Sequence, residues 1–153
     1  MASEVGPGAR RHWMSVLAKA RPAEIEAAWD RLGAEVAHEW LRRPEAGMAM
    51  VRGRAGGSGQ PFCLGEMTMT RCAVRLADGQ VGFGYVAGRS MRHAELAALC
   101  DALLQAPSWR DRVMAAVIAP LQDAGRARRE ERARKTAATR VDFFTMVRGE
   151  DPQ

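Results

Sequence analysis

The chain has 153 residues, 47% of them hydrophobic, with 23 Lys and Arg against 18 Asp and Glu, giving a formal charge of +5. That length suits a single domain, which buries about 68–70% of its unfolded surface and needs no disulfide or metal staple. Cys63, Cys72 and Cys100 are odd in number and lack C-x-x-C spacing, which argues against a disulfide framework or zinc knuckle and for reduced, mostly buried thiols.

No apolar run approaches the roughly 20 residues of a membrane span. The N-terminal MASEVGPGARRHW has no apolar h-region, so the expectation is a cytoplasmic chain without a signal peptide. The positive excess permits anionic partners and names none.

In chain order, residues 1–8 are small and Gly/Pro-rich and are expected to fray, residues 9–150 to form one domain, and 151–153 to be a tail. Ala9–Ala20 places Trp13, Val16, Leu17 and Ala20 on one helical face. Pro22 opens a second helix with Ile25, Ala28, Trp29 and Leu32 on its face and Gly33 as C-cap. Glu35–Arg43 alternates and is expected as a strand. Pro44 and Gly47 punctuate a turn, and Gly47–Ala55 forms the next strand.

After the loop Gly56–Pro61 comes Phe62–Leu76, the longest stretch of β character and the expected centre of an antiparallel sheet. Its pleat divides Glu66, Thr68, Thr70, Cys72, Val74 and Leu76 from Met67, Met69, Arg71, Ala73 and Arg75, so both sheet faces are expected to meet something. Asp78-Gly79 marks a hairpin into Val81–Ala87. That strand is bulky on one face and nearly bare at Gly82 and Gly84, the mark of a close backbone or ligand approach.

Ser90 caps a helix reaching Ala106. Ser108–Asp111 has the pattern of a capping box for the next helix, which Pro120 should kink or break. Gln122–Thr139 is charged; its basic run at 126–135 can touch phosphates, but such a run is more often a solvated helix face with i,i+4 pairs, here Glu130–Arg134 and Glu131–Lys135. Val141–Arg148 closes the chain as an apolar strand. The fold class is α+β: an antiparallel sheet with an N-terminal helical pair and C-terminal helices packed on it.

Chemical motifs are sparse. Gly53–Gly59 lacks the Gly-Lys-Ser/Thr ending of a P-loop. Gly82, Gly84 and Ala87 match G-x-G-x-x-A in letters but lie inside a strand and not at a strand-to-helix turn. His12, His38 and His93 sit on three separate elements and read as surface or capping histidines; no metal or cofactor site is expected. Arg52, Arg54, Arg71 and Arg75 form the better cluster. They can meet an anionic substrate or the acidic residues of a neighbouring subunit, and whether the two pairs meet depends on strand register.

Four stretches resemble one family: RHWMSVLAKA (residues 11–20), MVRGRAGGSGQPFCLGEMTMTRCAVRL (50–76), GYVAGR (84–89) and RVDFFTMVRGE (140–150). The chain resembles the G subunit of the bacterial carbon–phosphorus lyase system, the PhnG family, over about residues 10–150. Ser58 stands where the family pattern has Thr, and Cys63 is at a position where the family varies.

The resemblance implies an accessory subunit of phosphonate catabolism. With the H, I and L subunits, such a protein takes part in forming ribose 1-methylphosphonate 5-triphosphate from ATP and methylphosphonate, with release of adenine. It further implies a core complex with the I, H and J subunits, joined by ATP-binding-cassette-like K and L subunits, and no catalytic residue to carry over. Binding candidates are Arg52, Arg54, Glu66, Thr68, Thr70 and Arg71. Val141, Phe143 and Val147 on one face and Phe144 and Met146 on the other are interface candidates, because a strand apolar on both faces is covered on both. The alternatives are a basic nucleic-acid-binding module and a stand-alone enzyme acting on a phosphorylated substrate.

Overall fold

A computed structural model describes residues 6–139. The element order is α1 (Pro7–Lys19), α2 (Pro22–Leu32), β1 (His38–Arg54), β2 (Pro61–Leu76), β3 (Val81–Ala87), α3 (Met91–Gln105), α4 (Pro107–Val113) and α5 (Ala119–Ala138). The three strands form one antiparallel sheet in the order β1-β2-β3. The α+β class, with helices from both ends of the chain packed on an antiparallel sheet, is as the sequence indicates. The segment 140–150, with its interface candidates, lies outside the described residues.

The helical pair forms as its spacing dictates. Trp13 and Leu17 of α1, and Ile25, Ala28, Trp29 and Leu32 of α2, are buried. Gly33 ends α2 at φ 59°, a left-handed conformation that favours glycine. Helix α1 starts earlier than expected, at Pro7, because a proline at the first helical position has φ already set and no N–H to satisfy. Pro7 and Gly8 are therefore helical and not frayed.

The two strands expected at 35–43 and 47–55 are one 17-residue strand, and no turn separates them. Pro44 falls where the pairing with β2 is irregular, between Arg42 and Glu45. A bulge on an edge strand accommodates a residue without an N–H, so the proline does not end the strand.

Helix α3 is the axis of the core. Eleven of its residues, from His93 to Leu104, are buried. Ser90 caps it as expected, its Oγ accepting the His93 N–H at 3.2 Å. The glycines of β3 explain its position. A Cβ on Gly82 would lie 2.0 Å from the Ala98 carbonyl oxygen, and one on Gly84 would lie 2.1 Å from that of Ala94. The close approach marked by the bare face is that of a helix backbone.

Two expectations about the C-terminal helices are corrected. Helix α4 starts at Pro107 with Ala106 as N-cap, so Ser108 is already inside it and the capping box is not formed. Pro120 does not break the helix. A π-turn over Met114–Ile118 immediately precedes it, with the Ala119 N–H bonded to the Met114 carbonyl, and the chain stays helical into α5. The wider turn makes room at the point where a proline ring would otherwise meet the preceding turn.

Asp101 fastens the layers together. It is fully buried and accepts from Arg10 Nη2 at 2.8 Å, Arg10 Nε at 3.2 Å, the Trp13 indole at 2.8 Å and the Phe83 backbone N–H at 2.9 Å. One carboxylate thereby ties α1, α3 and β3, and its charge is met by the Arg10 guanidinium.

Candidate functional site

Strand β3 pairs only with Met69–Arg75 of β2, whereas β1 and β2 continue pairing from Gly47–Met69 to Arg54–Pro61. The sheet is thus prolonged into a two-stranded ribbon about 25 Å long at roughly 3.3 Å per residue. Its alternating pattern supplies apolar side chains on both faces, and no described helix covers them. Met48 is 71% exposed, Met50 65% and Leu64 61%, with Phe62 and Met67 also exposed. A run of such residues is more than the scattered apolar exposure of an ordinary surface.

The register decides the fate of the arginine cluster. Arg52 and Arg54 stand opposite Cys63 and Pro61 near the ribbon tip, while Arg71 stands opposite Glu45 and Arg75 opposite Glu39 at its base. Seven residues separate Glu45 from Arg52 along β1, roughly 20 Å of strand. The two pairs do not form one patch.

Each pair has its own surroundings. Arg71 Nε donates to Glu45 Oε1 at 2.7 Å, and Arg42 donates to the same oxygen. Arg75 pairs with Glu39 at 3.3 Å. Bonds from Arg42 first and Arg71 second hold the Glu45 carboxyl below its ordinary pKa. The acidic partners of Arg71 and Arg75 therefore belong to this chain's own β1, and this sheet face carries ion pairs where a covering layer was expected. Arg54 Nη1 reaches the Gly59 carbonyl at 3.4 Å across the tip.

The other candidates divide similarly. Glu66 is exposed on the ribbon opposite Met50, and Thr68 lies opposite Met48. Thr70 is fully buried, its hydroxyl donating to the Gly88 carbonyl at 2.8 Å, so it serves the turn into α3. Cys72 and Cys100 are buried as expected, but Cys63 is exposed on the ribbon. Burial pushes the Cys72 thiol up to about 11 and the Cys100 thiol up to about 12.

The three histidines are not brought together. His12 contacts Gln122 at 3.2 Å on the surface, His38 Nδ1 contacts the Val36 carbonyl at 3.0 Å, and buried His93 Nε2 contacts the Leu17 carbonyl at 2.8 Å. His93 thus satisfies an acceptor near the end of α1, a helix-end role consistent with the capping reading. No group of three His, Cys, Asp or Glu is placed to hold a metal among the described residues.

Sequence reasoning marked the basic run of α5 as able to touch phosphates but missed that α1 and Arg21 close it into a cleft. The cleft has a volume of about 660 Å³ and is lined by Lys19, Arg21, Arg128, Arg129 and Arg132, with His12 at its wall. Its signal was present in the Arg run of α5. Of the i,i+4 pairs expected there, Glu131–Lys135 forms at 2.7 Å, but Glu130 stands 4.0 Å from Arg126. Arg128 turns inward to Glu24 of α2.

These features define a class of protein: an α+β domain with a close-packed body and an exposed apolar two-stranded ribbon. Among the described residues, no helix is long and apolar enough to cross a membrane. The family model described as "Phosphonate metabolism protein PhnG" matches residues 8–149. A relative from Rhizobium meliloti (strain 1021), the alpha-D-ribose 1-methylphosphonate 5-triphosphate synthase subunit PhnG, is 46% identical, with 98% of this chain and 96% of the relative covered. The chain belongs to the PhnG family, as its sequence motifs indicate.

Proposed function

We propose that this chain is the G subunit of a ribose 1-methylphosphonate 5-triphosphate synthase in phosphonate catabolism. It acts as an accessory partner of the H, I and L subunits while adenine on ATP is replaced by methylphosphonate. The near full-length likeness to a subunit of that synthase supports the reaction. The exposed ribbon carries the accessory role, because its Met48, Met50, Phe62 and Leu64 would become buried in a protein–protein contact. On this reading the I, H and J subunits form the core around it, K and L join as ATP-binding-cassette-like subunits, and the assembly is cytoplasmic. Residues 9–150 act as one domain.

The test is co-purification with the H, I, J and L subunits. Met50→Asp on the ribbon and Phe144→Asp in the C-terminal segment should each leave the chain folded and weaken recovery of the complex. Wild-type recovery with both variants would refute the role given to these surfaces. Arg71→Ala separates two duties. Substrate contact predicts an intact complex with weaker apparent affinity for ATP, an interface duty predicts looser assembly first, and no change in either leaves Arg71 to its pairing with Glu45 and ends the substrate and interface readings.

A further inference from the structure

The cleft between α1 and α5 gathers positive charge that the fold neutralises only at Arg128. Five cations line it, and no carboxylate does so among the described residues. The adjacent carboxylate, Glu24, is engaged by Arg128 and accepts the Arg21 backbone N–H at 3.2 Å. Other ion pairs on α5 engage Arg126 and Lys135; Arg129 and Arg132 make none among the described residues.

The guanidinium groups also converge. At Gly125, which lines the cleft, a Cβ would lie 3.6 Å from Arg129 Nη1 and 3.8 Å from Arg128 Nη2. Arg128 keeps one side of its fork on Glu24, while Arg129 beside it, with Lys19 and Arg21 among the other lining cations, has no carboxylate partner among the described residues. The cleft's volume falls within the usual 300–1,000 Å³ of small-ligand sites. Val16 and Leu121 supply an apolar part of the lining.

We propose that this cleft is a binding site for a short condensed phosphate, free or esterified. Arginine forks pair with phosphate oxygens bidentately, and a chain of phosphate groups presents oxygens to both walls at once. The cleft lies outside the ribbon, so loss of complex in the ribbon variants tests the proposed function, and altered tripolyphosphate affinity in an assembled cleft variant tests this site.

The experiment uses the full chain in complex with its co-expressed partners and titrates inorganic tripolyphosphate by calorimetry at low and moderate salt. Binding is expected to weaken as salt rises. The Arg129→Ala/Arg132→Ala double variant should lower affinity by about ten-fold or more, because it removes two guanidinium forks that have no carboxylate partner among the described residues. Arg129→Lys/Arg132→Lys should recover part of the loss, and Arg126→Ala, outside the cleft, should bind as wild type. Circular dichroism and size exclusion should show the double variant folded and assembled. ATP displacing tripolyphosphate from the wild type, with that displacement weakened in the double variant, would place esterified chains in the same cleft; failure to displace would confine the site to free condensed phosphate. Absence of tripolyphosphate binding at low salt, unchanged affinity in the double variant, or loss of partner subunits from that variant with tripolyphosphate still bound would each overturn the proposal.

Discussion

Asp101 accepts the indole N–H of Trp13 at 2.8 Å, and the two residues are 88 positions apart in the chain. Arg10 and the Phe83 backbone N–H complete the carboxylate's shell. Asp101→Ala removes the acceptor for all of these donors and leaves the Trp13 and Phe83 N–H groups to lose their partner. Each buried donor left without a partner typically costs about 1–3 kcal/mol, so the variant should unfold at markedly lower denaturant. Asp101→Asn should lie between the two, because it keeps an acceptor but loses the charge facing Arg10. Equal midpoints for all three proteins would contradict this account.

Gly84→Ala tests the contact between β3 and α3. The added Cβ would meet the Ala94 carbonyl oxygen at 2.1 Å, and backbone atoms cannot yield as a flexible side chain does. Overpacking of this kind costs about 1–3 kcal/mol or more. Gly47→Ala, where a Cβ meets nothing within 4 Å, is the matched control and should leave the unfolding midpoint nearly unmoved.

The thiols should separate by reactivity. In the native protein Cys63 should react promptly with a thiol reagent, while Cys72 and Cys100 react only on unfolding, so the native titre is one thiol and the denatured titre three. Burial raises both core thiols in the folded state. The unfolded state therefore loses these protons first, and stability is retained below the unfolded pKa of about 8.5. It should then decline as pH rises from there towards about 11 and 12, where the folded thiols themselves ionise. A Cys72→Ala/Cys100→Ala variant should lack that part of the alkaline decline.

Expressed without partners, the chain should self-associate, because the ribbon exposes apolar side chains and unpaired strand edges. Light scattering should report oligomers whose proportion falls in a Met48→Lys/Leu64→Lys variant. A monodisperse monomer for the unaltered chain would count against an exposed contact surface.

Much of the fold was legible because periodicity within one element needs no tertiary knowledge: the faces of α1 and α2, the Gly33 cap and the alternation of β3 were all available from spacing. Pro44 and Pro120 misled for a shared reason. Each is a breaker whose local cost is relieved by a neighbouring irregularity, a bulge in one case and a π-turn in the other, and neither irregularity has a sequence signature. Asp101 was invisible because its donors come from residues 10, 13 and 83. The arginine cluster could not be resolved before the register was known, since the same four residues make one patch or two depending on which residue faces Glu45. Membership of the PhnG family was legible because long motifs in order carry more information than any single spacing.

The seam between β3 and α3 has a mechanical consequence. Ala94, Ala98 and Ala102 recur every four residues, so one line of small side chains runs along the helix against Gly82 and Gly84. With backbone this close to backbone, α3 cannot roll about its axis without driving a larger side chain into the strand. The helix and the β3 end of the sheet therefore resist sliding and rolling as one unit, and the ribbon is the part of the sheet that this seam does not clamp.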